Sequence, residues 1–206
     1  MQAGRFEPHS TVGAALRPVP TNAQCPVAPA SIYASTKLMQ EYLLKQAFWG
    51  TDTQVGILRL QNVFGPGQSL NNPYTGVISI FCKQISQGKV LNIFEDGEIT
   101  RDFVLVDDVV DAFHRIGTLP MEVGAFPDEI IDIGSGVPTT ILSMARLLLT
   151  LMGQDANRYQ VTGACRAGDI RYAAAAISAA RRHLEAAFSQ EFDALAAECF
   201  PEGTIA

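Results

Sequence analysis

The stretch Tyr33-Ala34-Ser35-Thr36-Lys37 stands at the start of a helical pattern and decides how the rest of the chain is interpreted. Residues four apart lie on one face of a helix, so the tyrosine hydroxyl and the lysine ammonium are neighbours. The pKa of free tyrosine is about 10, and a nearby cation favours the phenolate, a usable proton acceptor at neutral pH. Taken alone, this spacing is more typical of a solvated helix face, because such pairs are common in exposed helices.

Four further motifs follow in order: RLQNVFGPG at 59–67, TRDFVLVDD at 100–108, DIGSG at 132–136 and RAGDIR at 166–171. Together with the pentad they resemble the second half of the extended short-chain dehydrogenases/reductases, the NAD-dependent nucleotide-sugar epimerases and dehydratases. The resemblance runs from about residue 3 to about residue 184. It implies an α/β fold: the C-terminal portion of an extended Rossmann unit, a doubly wound parallel sheet, plus a smaller substrate-binding lobe.

The resemblance also implies roles for individual residues. Tyr33 and Lys37 are then the catalytic pair, in which the phenolate removes a proton from a sugar hydroxyl while hydride leaves the same carbon for NAD. The cofactor would contact Tyr33, Lys37 and Val63. The nucleotide sugar would be bound by polar, aromatic and charged side chains of the later motifs: Asn62, Tyr74, Thr75, Phe94, Arg101, Arg166 and Asp169.

Structural interpretations compete with several of these roles. Asn62 is also a typical turn asparagine bonded to its own backbone, and Phe94 is almost as well explained as a core aromatic. Arg101 could form a salt bridge with Asp102 or Asp107. Guanidinium groups nevertheless match phosphate oxygens bidentately, which favours the diphosphate role inside these motifs.

Within the family, segments 67–76 and 92–97 look most like dTDP-L-rhamnose 4-epimerases. That similarity implies NAD-dependent epimerisation at C4 of a nucleotide-linked hexose through a 4-keto intermediate, with a dTDP-6-deoxyhexose as substrate. Two alternatives stay open: a nucleotide-sugar 4,6-dehydratase, and a non-catalytic remnant that only binds sugar nucleotides.

The glycine-rich turn that receives the dinucleotide pyrophosphate in this family has no counterpart among the 206 residues. We therefore expect an N-terminally truncated member of the family, and we expect this chain alone not to bind NAD with useful affinity. Residues 1–30 are interpreted as a loop or insert remnant. Residues 31–206 are interpreted as a partial epimerase/dehydratase domain that carries the catalytic helix, the last Rossmann strands and the sugar-nucleotide lobe.

Composition narrows the class of protein. The chain is 48% hydrophobic and carries a net charge of −6, which suits one globular domain and disfavours a nucleic-acid partner. Four widely spaced cysteines without a C-x-x-C pair predict reduced thiols and no metal site. No apolar run is long enough for a membrane span and the first ten residues lack a signal sequence, so we expect a cytoplasmic protein. The family resemblance adds a nucleotide-sugar partner and is compatible with a homodimer.

Periodicity predicts the main elements. Ser31 is expected to cap a helix reaching about residue 49, with a buried stripe of Leu38, Met39, Tyr42 and Leu43. Further helices are predicted after residue 76, from Asp107 and from Thr140, and strands at 55–61, 89–94, 100–106 and 130–133. The run of four alanines at 173–176 favours helix by intrinsic propensity, in place of the strand that relatives have there.

Overall fold

A computed structural model describes residues 18–69, 76–118, 130–165, 169–184 and 188. Its helices and strands follow the predicted order, with Thr140 capping a helix as expected and with Val106 rather than Asp107 opening the third helix. The elements are α1 (Ile32–Ala47), β1 (Ile57–Leu60), β2 (Asn62–Phe64), α2 (Val77–Ser86), β3 (Leu91–Ile93), β4 (Thr100–Leu105), α3 (Val106–Thr118), β5 (Ile130–Ile133), β6 (Pro138–Thr140), α4 (Ile141–Leu151), β7 (Tyr159–Val161) and α5 (Ser178–His183).

Among the described residues, the strands form three small sheets dominated by parallel pairs. Strand β1 pairs with β5, β3 pairs with β7, and β4 lies between the parallel β2 and the antiparallel β6. Parallel pairing requires crossover connections, and helices supply several of them. This mixed α/β architecture confirms the predicted fold class.

Strand β4 separates two hydrophobic cores. Phe103 packs into the first core with α2 and α4, whereas the next residue, Val104, packs into the second with β5 and α5. Successive side chains of a strand point to opposite faces, so one strand serves both cores. The same alternation in β2 sends Phe64 to the first core and Val63 to the second.

Helix α1 is capped as predicted but is not buried as predicted. The Ser31 hydroxyl accepts from the Ala34 N–H at 3.1 Å. No residue of α1 is buried: Leu38 is half-buried, while Met39, Tyr42 and Leu43 are exposed. The prediction of a buried stripe at those three positions was therefore wrong. The half-buried positions instead follow a neighbouring line along the helix: 34, 38, 41 and 45.

The prediction of helix at the alanine run was also wrong. Residues 173–176 are extended, and Thr21 bonds to them from both sides, donating to the Ala174 carbonyl at 2.9 Å and accepting from the Ala176 N–H at 2.8 Å. Ala174 and Ala175 are buried. Tertiary backbone bonds outweigh the helix propensity of alanine, which is only a weak preference per residue. The same contacts anchor the predicted N-terminal loop at Thr21.

A buried carboxylate joins this extended segment to β4. Asp102, 0% exposed, accepts from the Ser135 N–H (2.7 Å) and hydroxyl (2.8 Å), and from the N–H groups of Gly136 (3.0 Å) and Ala175 (3.1 Å). A Cβ on Gly134 would collide with this carboxylate, so the DIGSG turn needs glycine there. Four hydrogen bonds compensate for the cost of burying the charge.

Candidate active site

Tyr33 and Lys37 lie together on the first turns of α1. The Lys37 Nζ stands 5.7 Å from the centroid of the Tyr33 ring, within the range of a cation–π contact. Tyr33 is 71% exposed, so its hydroxyl is accessible to a ligand. The i, i+4 spacing thus produces the predicted neighbourhood of phenol and ammonium.

One turn further along α1, Glu41 forms a salt bridge that links the helix to strand β1. Its two carboxylate oxygens accept from the Nε and Nη2 of Arg59 on β1, each at 2.8 Å. Asp132 on β5 is in register with Arg59. Burial raises the pKa of Asp132 to about 6. The Arg59 guanidinium lowers this pKa, and the Glu41 charge raises it further. The pKa of Arg59 is raised mainly by its hydrogen bond to Glu41.

Asn62 and Val63 lie where the chain passes from one sheet to another. Strand β1 ends at Leu60, the Gln61 N–H still bonds to Ile133 of β5, and Asn62 begins β2 alongside β4. Asn62 therefore belongs to a strand, so the interpretation as a turn asparagine is wrong. Val63 packs against the second core through its half-buried side chain.

Arg101 pairs with Asp169, the residue predicted to share its ligand. Its Nη2 donates to the Asp169 Oδ1 at 2.6 Å, and its Nη1 donates to the carbonyls of Ile170 (2.6 Å) and Thr100 (2.8 Å). The alternative partners, Asp102 and Asp107, do not form this bridge. Burial lowers the pKa of Arg101, and the Asp169 carboxylate acts in the opposite direction.

Strand alternation brings Asn62 and Arg101 to the same side of the β2–β4 pair. Asn62 is in register with Phe103, and Arg101 precedes Phe103 by two positions on the same strand face. Asn62 of motif 59–67 and Arg101 of motif 100–108 therefore occupy neighbouring positions on one face of this strand pair. Of the other predicted substrate residues, Tyr74, Thr75 and Arg166 lie outside the described residues.

Phe94 directly follows β3 and is 37% exposed, which argues against the interpretation as a core aromatic. The next residue, Glu95, has a left-handed backbone (φ 53°) and a side chain only 1% exposed. Arg171 donates to Glu95 Oε2 at 3.0 Å and to both oxygens of Asp96 at 2.5 and 2.8 Å. Its own backbone carbonyl accepts from Thr100 at 2.9 Å. Arg171 thus connects the turn at Glu95 and Asp96 to β4 through its side-chain and backbone hydrogen bonds.

Sequence reasoning missed Glu41, Arg59, Glu95 and Arg171 as members of the site. Arg59 and Arg171 lie in two of the recognised motifs, and Glu41 continues the spacing of four from Lys37. The available signals were therefore motif membership for the two arginines and, for Glu41, a spacing that places a carboxylate on the helix face of the candidate pair. The pairings themselves bring together residues 18 and 76 positions apart, which periodicity does not reveal.

The described residues fit one end of NAD. The Tyr33 hydroxyl and the Lys37 ammonium, which lies over the Tyr33 ring, are an acceptor and a donor suited to the ribose next to the nicotinamide. The pyrophosphate end requires backbone N–H groups of a glycine-rich turn, which this sequence does not contain. The nicotinamide-ribose end is therefore the part of the cofactor that these residues could hold.

Comparison with known proteins agrees with the motifs. The model of the NAD dependent epimerase/dehydratase family matches residues 9–134. The chain is 48% identical over 150 residues to a dTDP-L-rhamnose 4-epimerase of Burkholderia thailandensis, covering 73% of this chain and 40% of that protein. It is 39% identical over 121 residues to a UDP-glucose 4-epimerase of Mycolicibacterium smegmatis, covering 59% of this chain and 37% of the relative.

Solved structures share the fold. A UDP-glucuronic acid 4-epimerase from Bacillus cereus, in complex with UDP-glucuronic acid and NAD, superposes with a TM-score of 0.75 at 25% identity, over 89% of this chain and 55% of that one. The chain spans about 40% of the length of the curated relatives it matches. Within the part of the chain that the structure describes, no helix has the length and apolar character needed to cross a membrane. The matched family model, together with the motif order, shows that this chain belongs to the NAD dependent epimerase/dehydratase family.

Proposed function

We propose that this chain supplies the tyrosine–lysine pair and the nucleotide-sugar lobe of an NAD-dependent 4-epimerase, with a dTDP-linked 6-deoxyhexose as substrate. The observation that carries the proposal is the Lys37 ammonium held 5.7 Å from the ring of an exposed Tyr33 at the capped start of α1. A cation beside the phenol favours the charge that forms when tyrosine gives up its proton.

In this proposal Tyr33 takes the proton from the sugar C4 hydroxyl as that carbon is oxidised to a ketone. NAD, when bound, would supply the hydride acceptor and donor for C4, and Tyr33 and Lys37 would hold its nicotinamide ribose. Tyr33 then gives the proton back to the C4 oxygen, and Lys37 stabilises the phenolate that is present before the first transfer and forms again after the second. Proton transfer by a positioned side chain typically contributes about a hundred- to ten-thousandfold to a rate.

The nucleotide diphosphate would bind at Arg101. Three of the five guanidinium N–H groups of Arg101 are engaged by Thr100, Ile170 and Asp169. The Nε–H and one Nη2–H remain for phosphate oxygens, while Asp169, already oriented by Arg101, can accept from a ribose hydroxyl. Phe94, which is 37% exposed, is proposed to contact the base, and Asn62, Tyr74, Thr75 and Arg166 are proposed as further substrate contacts.

The choice of sugar rests on similarity. The relative at 48% identity is a dTDP-L-rhamnose 4-epimerase, and segments 67–76 and 92–97 carry the same resemblance. This supports a 4-epimerase over a 4,6-dehydratase and a dTDP-sugar over a UDP-sugar.

Binding of dTDP to the isolated chain, measured by isothermal titration calorimetry, tests the nucleotide site. Arg101→Ala should weaken dTDP binding by about 1.5–3 kcal/mol, the range for hydrogen bonds to charged groups, and should leave thymidine binding almost unchanged. Arg146→Ala, on an exposed face of α4, is the matched control and should change neither. Absence of dTDP binding, or equal loss for dTDP and thymidine, would contradict the proposed site.

The catalytic role is tested in a protein in which a dinucleotide-binding segment is fused before this chain. There, Tyr33→Phe should lower turnover of dTDP-L-rhamnose by about a hundred- to ten-thousandfold with unchanged dTDP affinity. Retained turnover in that variant would remove Tyr33 from the mechanism and leave the chain as a nucleotide-sugar binder.

A further inference from the structure

Four ionisable side chains follow one another at intervals of four along α1: Tyr33, Lys37, Glu41 and Lys45. Lys37 therefore has a phenol one turn before it and a carboxylate one turn after it. Lysine and glutamate four residues apart on a helix attract each other weakly, and more weakly when the lysine comes first, as Lys37 does here. If Glu41 were available, it would compete with Tyr33 for the Lys37 ammonium.

In the structure, Glu41 is engaged elsewhere. Both of its oxygens accept from the Arg59 fork at 2.8 Å, and the two side chains are only 15% and 25% exposed. A bidentate pair in this setting is geometrically specific and stronger than an exposed helical pair. Lys37 accordingly lies over the Tyr33 ring, and its Nζ also reaches the Gln40 Oε1 at 3.5 Å.

We propose that Arg59 is a positioning residue for Lys37: by occupying both oxygens of Glu41, it leaves the lysine ammonium to Tyr33. The inference rests on the proposed role of the Tyr33–Lys37 pair in the reaction. It differs from simple anchoring of α1 by the Glu41–Arg59 bridge, because anchoring requires both partners whereas the competition disappears when Glu41 is removed.

The experiment measures the contact between Lys37 and Tyr33 directly in the 206-residue chain. Nuclear Overhauser effects between the Lys37 ε-methylene and the Tyr33 ring are recorded by NMR, with Lys37→Arg used to assign the methylene signals. Arg59→Met should weaken these effects by up to about twofold, because the released Glu41 attracts Lys37 as well as Lys45. Glu41→Gln alone should preserve them, and the double variant Arg59→Met/Glu41→Gln should restore them.

Two results would overturn the proposal. Preserved effects in Arg59→Met would show that Glu41 does not compete for Lys37. Equal weakening in all three variants would show that the bridge merely anchors the helix. Asp111→Asn, which breaks the 2.5 Å pair with Arg115 on α3, is the matched control and should preserve the effects.

Folding and function are separated from this readout. Unchanged methyl signals of Ile131 and Ile133, both 0% exposed, report an intact core in each variant. Where Arg59→Met fails this check, Arg59→Lys replaces it, keeping the charge without the fork; it should weaken the effects, and effects equal to wild type would overturn the proposal. The measurement uses no nucleotide, so failure of dTDP binding would contradict the proposed function without altering this result.

Discussion

Replacing Asp132 by asparagine should remove a pH-dependent destabilisation of the fold. Asp132 is 8% exposed, and burial raises its pKa from 3.8 to about 6, with Arg59 opposing the rise and Glu41 adding to it. At about 1.4 kcal/mol per pKa unit, this difference corresponds to about 3 kcal/mol. Asparagine has a similar shape and no charge, so the variant lacks this unfavourable contribution to the free energy of folding.

The sign follows from the direction of the shift. The folded protein binds the Asp132 proton more tightly than the unfolded chain does. Ionisation of Asp132 therefore lowers the free energy of unfolding as the pH rises from about 4 to about 6. Above that window the destabilisation is complete. Asp132→Asn should therefore be more stable than wild type by up to about 3 kcal/mol near pH 7.5, and the two proteins should approach equal stability near pH 4.

Urea denaturation followed by circular dichroism at several pH values measures this difference. Comparing the two proteins at each pH cancels the titration of other carboxylates, such as Asp96, whose pKa is lowered mainly by its hydrogen bond from Arg171. Asp52→Asn, at an exposed position, is the matched control. A stability gap that does not change with pH, or one that favours wild type at neutral pH, would refute the reasoning.

Three other outcomes are expected. Asp102→Ala leaves buried N–H groups without an acceptor and should cost about 3 kcal/mol or more in urea denaturation; a loss below about 1 kcal/mol would contradict the bonding described. Gly134→Ala should also destabilise the fold, because its Cβ meets the Asp102 carboxylate, and a neutral effect would argue against that close approach. Burial raises the pKa of Cys82 to about 12, so at pH 8 iodoacetamide should modify the exposed Cys165 and spare Cys82, as mass spectrometry of peptides can determine.

The predictable part of the fold came from short apolar runs and caps. Strand β5, helix α2 and the Thr140 cap were all expected, because each depends on residues close together in sequence. Burial of α1 was not predictable in this way. Periodicity identifies an apolar stripe but not what covers it, and the exposed Met39 and Leu43 show that these are separate questions.

The alanine segment and the ion pairs escaped prediction for another reason. Their conformations depend on partners far along the chain: Thr21 for Ala174, Arg59 for Glu41, and Arg171 for Glu95. Intrinsic propensity and local spacing contain no information about such partners. Within the site, the motif resemblance placed Arg101 and Asp169 in one region, and the structure adds that they bind each other.

The hydrogen bonds of Asp102 have a consequence for how the protein is made. Its carboxylate oxygens accept hydrogen bonds from Ser135 and Ala175, which lie 33 and 73 positions later in the chain. At a synthesis rate of about 5–20 residues per second, Asp102 leaves the ribosome about 4–15 s before Ala175 does. Until then its carboxylate must stay hydrated. Strand β4, which serves both hydrophobic cores, therefore completes its burial late, and the nascent chain exposes apolar surface of both cores during that interval.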